Sequence, residues 1–202
     1  MWILVDWRAM RLLCAVALVV SMSGAEIERA GALARSRDSE RQQFHARYVI
    51  NLPDPVVTQI EVVTEFRRLV IIAEEHVLRG DWMFTRSVRA AGDALAATRG
   101  LTTIKAQVRF SPLNTFIEPP AYALAIGGAA PKSPMQGVST QLTPQYSVPF
   151  RTPDKKTLSS LTGVSLETSL PADRIGQASL AIGVTLDGKE VARTTVDFAR
   201  LD

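Results

Sequence analysis

Apolar and polar positions alternate through residues 104–110, where Ile104, Ala106, Val108 and Phe110 stand against Lys105, Gln107 and Arg109. A period of two places the first set on one face of an extended chain, so this stretch predicts a half-buried strand. The same period recurs at Ile60, Val62, Thr64 and Phe66, at Val164, Leu166, Thr168 and Leu170, and at Leu180, Ile182, Val184 and Leu186. Beyond the last of these, Asp187-Gly188 predicts a tight turn, and the chain returns through Val191 to Phe198 as a hairpin. Matching the apolar faces pairs Leu186 with Glu190, Val184 with Ala192, Leu180 with Val196 and Ala178 with Phe198. That register demands one extra residue or a bulge near Lys189. Residues 48–52 are apolar and β-favouring until Pro53-Asp54-Pro55 breaks the chain, and residues 122–126 form the best strand within an otherwise irregular stretch.

Helical signals are fewer. Residues 85–99 read as a helix: Thr85 supplies a cap, Val88, Ala91 and Leu95 share a face, and Gly100 suits the stop. The run Leu69-Val70-Ile71-Ile72-Ala73 is apolar on both parities, and its β-branched density predicts a strand to about Ile72, then a short helical turn to Arg79 ended by Gly80. Residues 26–47 are polar and charged with few large apolar side chains, so they predict a tether, flexible or partly helical. Between residues 111 and 153 lie eight of the eleven prolines, which exclude long helices there; residues 129–156 predict a long exposed loop.

Several short strands, one helix and Pro-rich connections predict a mainly β domain over residues 48–202, an antiparallel β-sandwich with one helical insertion. In architecture this resembles the immunoglobulin-like sandwiches, without the cysteine pair or the core tryptophan of the antibody type. The alternative is a two-layer α+β arrangement.

The N-terminus changes the picture of where the domain works. Arg8 and Arg11 precede an apolar run over residues 12–20, followed by Ser21-Met22-Ser23-Gly24-Ala25. This is the order of an export signal, with Ser23 and Ala25 as the small residues before the cut, and it predicts cleavage between Ala25 and Glu26. The run is about half the roughly 20 residues that span a bilayer, so a permanent membrane span is not expected. Met10 offers a second start, since Met10-Arg11 and the apolar run make a complete leader. Cys14, the sole cysteine, lies at the beginning of that run, where lipid attachment does not occur, and the rest of the chain forms no disulfide. A periplasmic or secreted bacterial protein that does without disulfides is the expectation.

Charge narrows the partners. A net charge of +3, scattered along the chain with Arg67-Arg68 and Lys155-Lys156 as its densest pairs, supplies no phosphate-binding patch, so nucleic acid is not an expected partner. A protein or glycan of the envelope is.

Candidate chemistry is sparse. The histidines are His45 and His76, and Glu74-Glu75-His76 joins a base to a metal ligand without the further partners that a metal site or triad needs. No nucleotide-binding glycine motif occurs, so no catalytic, cofactor or metal residue is assigned; an exported hydrolase or metal-dependent enzyme using Glu74, Glu75 and His76 is the alternative to a non-catalytic binding or structural module. Arg79-Gly80-Asp81 reads as a helix end, and Trp82-Met83-Phe84 as an apolar anchor. Residues 111–120 mix aromatic, amide and carboxylate groups on a proline-stiffened backbone directly after a strand. They make a candidate binding loop with Asn114, Phe116, Glu118 and Tyr122 as its residues. The competing reading has Asn114 satisfying backbone groups and Phe116 plugging the core.

Overall fold

The computed structural model describes residues 22–127, 138–151, 154, 157–175 and 179–201. The predicted leader up to Ser21, most of the predicted 129–156 loop's first half, Lys155-Lys156 and the predicted partner Ala178 lie outside them.

The described residues open on helix. Helix α1 (Gly24–Ala34) is closed at its start by a reciprocal capping box, Ser23 accepting from the Glu26 amide while the Glu26 carboxylate accepts from the Ser23 amide. Ile27, Ala30, Gly31 and Ala34 fall at helical spacing and are buried. Gly31 is needed for the approach of Thr85: a Cβ there would fall 2.2 Å from its Oγ1. Helix α2 (Asp38–Ala46) buries Phe44, whose ring meets Tyr48 and Phe66 edge-on at 5.2 and 5.9 Å. Within residues 26–47, the small residues Ala30, Gly31 and Ala34 on the inner face of α1 give close packing where large apolar side chains are missing.

Strands β1 (Val49–Asn51) and β2 (Val57–Val63) pair antiparallel. The predicted extension of β2 through Thr64 and Phe66 does not form. Thr64 instead caps helix α3 (Glu65–Leu78), accepting from the Arg67 amide at 3.2 Å. The Leu69–Ala73 run, predicted as strand, is therefore the middle of a helix, with Phe66, Leu69, Val70 and Ala73 on its buried face. Periodicity over five apolar residues fits both structures; the cap in front of them decides.

The predicted 85–99 helix is divided. A 3-10 turn (Phe84–Arg86) precedes Ser87, which caps helix α4 (Val88–Leu95), and a second 3-10 turn (Ala96–Thr98) leads to Gly100, which has φ +65°. Then follow β3 (Leu101–Arg109), β4 (Tyr122–Gly127), β5 (Gln141–Tyr146), the short β6 (Phe150–Arg151) and β7 (Thr157–Leu158), β8 (Leu161–Pro171), the four-residue α5 (Ala172–Ile175), β9 (Ser179–Leu186) and β10 (Lys189–Asp197).

Two antiparallel sheets result, ordered β1-β2-β3-β8-β5 and β10-β9-β4, with β6-β7 as a separate ribbon; neither main sheet closes into a barrel. With four longer helices beside them among the described residues, the architecture is mixed α and β, not mainly β with a single helical insertion. The register puts Ile60 beside Ala106 and Leu166, and Val62 beside Ile104, on the inner face of the five-stranded sheet. Leu124 beside Val184 and Ile126 beside Ile182 form the inner face of the other. Both faces and the buried sides of α1 and α3 belong to one apolar cluster. The opposite face of the large sheet is polar, with Gln59, Gln107, Ser165 and Thr143 in one row across four strands.

The hairpin follows the predicted faces, Val184 opposite Ala192 and Leu180 opposite Val196. Its irregularity sits between Glu190 and Ala192, since Asp187 (φ +50°) and Gly188 (φ +77°) close a two-residue turn that sets Leu186 against Lys189, not Glu190. Among the described residues no helix is long and apolar enough to cross a membrane.

Candidate functional site

At the ends of β3 and β8 the chain leaves the large sheet through residues 111–121, and this loop is held stiffly. The Asn114 side-chain amide donates to the carbonyls of Ser111 and Leu161, at 2.7 and 3.0 Å, and its oxygen accepts from the Phe116 amide at 3.1 Å. Asn114 thus spends its hydrogen-bonding capacity on the backbone. Phe116 stands edge-on to the buried Phe110 at 5.1 Å and remains 46% exposed, while its neighbours Leu113 (89%) and Ile117 (92%) stand out in solvent. Glu118 is exposed. Tyr122 belongs instead to the core side of β4 and stacks with Phe110 at 6.0 Å; burial, with Asp187 and Asp54 nearby, pushes its phenol above the ordinary value.

Beside this loop lies a cleft of about 420 Å3, within the range of small-molecule sites. Thr58, Gln107, Arg109, Gln145, Ser160 and Thr162 line it, and Asn114 forms part of its wall. Of the four predicted binding residues, then, only Asn114 lines the cleft, and Phe116 stands next to its wall. Gln107, Arg109 and Gln145 were not singled out from sequence. Their signal was outward parity on a strand that runs directly into the stiff loop.

The three residues of Glu74-Glu75-His76 face different partners, since neighbours on a helix point about 100° apart. Glu74 accepts from His45 Nε2 at 3.0 Å, with Arg41 Nε at 3.8 Å. His45 Nδ1 faces Arg67 Nε at 3.5 Å; an arginine only donates, so the ring carries its proton on Nε2. Arg67, 4% exposed, also donates to the Val62 carbonyl and to Glu61 at 2.5 Å and lies over the Tyr48 ring at 5.1 Å. This network ties α2, β2 and α3 together. Glu75 pairs with Arg79 on the surface at 3.5 Å. His76 faces Asp81 at 2.9 Å through Nδ1 and stacks on Phe84, rings 3.9 Å apart and nearly parallel. The hydrogen bond from His76, then that from the Met83 amide, holds the Asp81 carboxyl below the ordinary value.

Gly80 has φ +81° and ends α3 as read from sequence, and the apolar triplet after it splits, Phe84 buried but Trp82 (55%) and Met83 exposed. Among the described residues no group of three or more histidine, cysteine, aspartate or glutamate side chains is placed to hold a metal ion. The predicted cleavage bond, Ala25–Glu26, falls in the first turn of α1, inside its cap. Compared with known proteins, the chain matches no family model, no curated protein and no solved structure.

Proposed function

We propose that this is an exported, non-catalytic binding or structural module of the cell envelope or extracellular space, an immunoglobulin-like sandwich that recognises its partner through the cleft and the stiff loop beside it. One observation carries the reading. Leu113, Phe116 and Ile117 are presented to solvent by a loop whose backbone is pinned to β8 through Asn114. Apolar side chains held out on a fixed backbone suit recognition, because ordering them on binding costs little further entropy. The alternative hydrolase reading would need Glu74 and His76 to converge, and each is engaged elsewhere.

Two measurements test it. The intact mass of the chain recovered from the extracytoplasmic fraction of an expressing bacterium reads export and the cut together; a full-length chain found in the cytosol removes export. A photo-crosslinker replacing Ile117 should trap a defined envelope component that a crosslinker at Arg89, on the helical side, does not. Equal, featureless labelling at both positions would remove the loop as the recognition surface.

A further inference from the structure

We propose that the cleft binds an acidic oligosaccharide, a sugar chain bearing carboxylates, with Arg109 as the group that selects for charge. This rests on the binding-module reading above and names its ligand class.

The chemistry of the walls is one-sided. Arg109 stands exposed at the end of β3, and among the described residues no carboxylate pairs with it. None of the described residues lining the cleft is acidic, and Arg109 is the one cation among them. Across the sheet, Arg109 is opposite Gly163, and Gly163 is opposite Gln145. The middle position has no side chain to stand between the arginine and the glutamine, and a Cβ there would fall 2.2 Å from the Val108 carbonyl oxygen, so only glycine permits this close approach of β8 to β3. Gln107 and Gln145 line the cleft together with Arg109.

Those groups discriminate among partners. An extended peptide adds to a sheet through backbone bonds at an open edge. Here the wall strands β3 and β8 are interior to their sheet, so their ladders are already used; β5, which contributes Gln145, is the edge strand, and the tetrapeptide below tests pairing there. A nucleic acid would require several cations on one surface, and the cleft has one. A sugar needs neighbouring donors and acceptors for its hydroxyls, which primary amides and hydroxyls supply together, and a charge-assisted contact for its carboxylate, which Arg109 supplies.

The test is a titration of the isotope-labelled full-length chain, followed by amide shifts and calorimetry, with galacturonate and mannuronate tetramers, the neutral galactose tetramer, and an acetylated tetrapeptide with a free carboxyl end. An acidic tetramer should move the side-chain amides of Gln107 and Gln145, and its binding should weaken as salt rises from about 20 to about 150 mM. Arg109→Gln should weaken it about tenfold while leaving the thermal midpoint unchanged, because the side chain is exposed. Equal affinity for the neutral tetramer, or an indifferent Arg109→Gln, overturns the proposal. If the neutral sugar or the peptide alone occupies the cleft, the acidic ligand falls and the binding module stands. If no probe moves the cleft amides, the proposal falls outright, and the crosslink at position 117 decides the module separately.

Discussion

Arg67 shows how a charged residue can be structural at a position that a functional reading would single out. It is nearly inaccessible, satisfied by Glu61, the Val62 carbonyl and His45, and covers the Tyr48 ring. Removing it leaves Glu61 and the carbonyl without their donor, so Arg67→Ala should cost about 3 kcal/mol in urea denaturation. Arg67→Lys should recover less than half, since an ammonium lacks the planar fork that serves several acceptors at once. A loss under about 1 kcal/mol for Arg67→Ala would show that the network is decoration. Asp81 makes a second residue-scale case. Its carboxyl is depressed by His76 and the Met83 amide, so its stabilisation is present above the ordinary value near about pH 4 and fades as pH falls through the lower native value. Wild type should therefore lose its advantage over Asp81→Asn in acid; a difference that stays constant down to about pH 2 would contradict this sign.

At the scale of elements, what was legible followed from how many residues each decision rests on. Strands β3, β8 and β9 alternate over seven positions, and the apolar faces this defines meet in the pairings β3–β8 and β4–β9. The hairpin bulge was legible as a necessity but moved by about one residue, because the turn residues and not the faces fix the first pair. Helix α3 was misread because its β-branched run suits either structure and the deciding group, the Thr64 hydroxyl, sits within what looked like strand. The cleft was legible only through its loop: Arg109 and Gln145 come from strands 36 residues apart in sequence, brought to either side of Gly163 by pairing that no local pattern announces. Helix α1 carries a prediction at this scale. Its box rests on Ser23, so Ser23→Ala should cost about 1 kcal/mol, and a chain beginning at Glu26 should lose at least as much, together with the contact of Met22 on the core. Equal midpoints for chains beginning at Met22 and at Glu26 would show that the cap contributes nothing.

On the scale of the whole molecule, the cleft can be stiff only if the two sheets and the helices act as one body. The inner faces of both sheets, the buried sides of α1, α3 and α4, and the C-terminal Phe198 and Leu201 all belong to a single apolar cluster. The Tyr48 hydroxyl, buried at the start of β1, donates to the carbonyl of Leu201 at the other end of the chain. Phe110 bridges the same parts locally, lining the cleft on the large sheet while stacking on Tyr122 of the small one. Because the inner faces of both sheets are buried in that one cluster, neither should unfold alone. Leu166→Ala in the large sheet and Ile182→Ala in the small one should each cost about 2–5 kcal/mol, as deletions of fully buried side chains do. Each should shift one common transition, seen at the same midpoint by far-ultraviolet circular dichroism and by the near-ultraviolet signal of the buried tyrosines. Two midpoints in Ile182→Ala would mean that the small sheet melts away from the large one. Phe110 would then lose Tyr122, and the loop that carries Phe116 and Ile117 would be fixed only by Asn114 and the edge-on contact of Phe116 with Phe110, too little to hold a recognition surface in place.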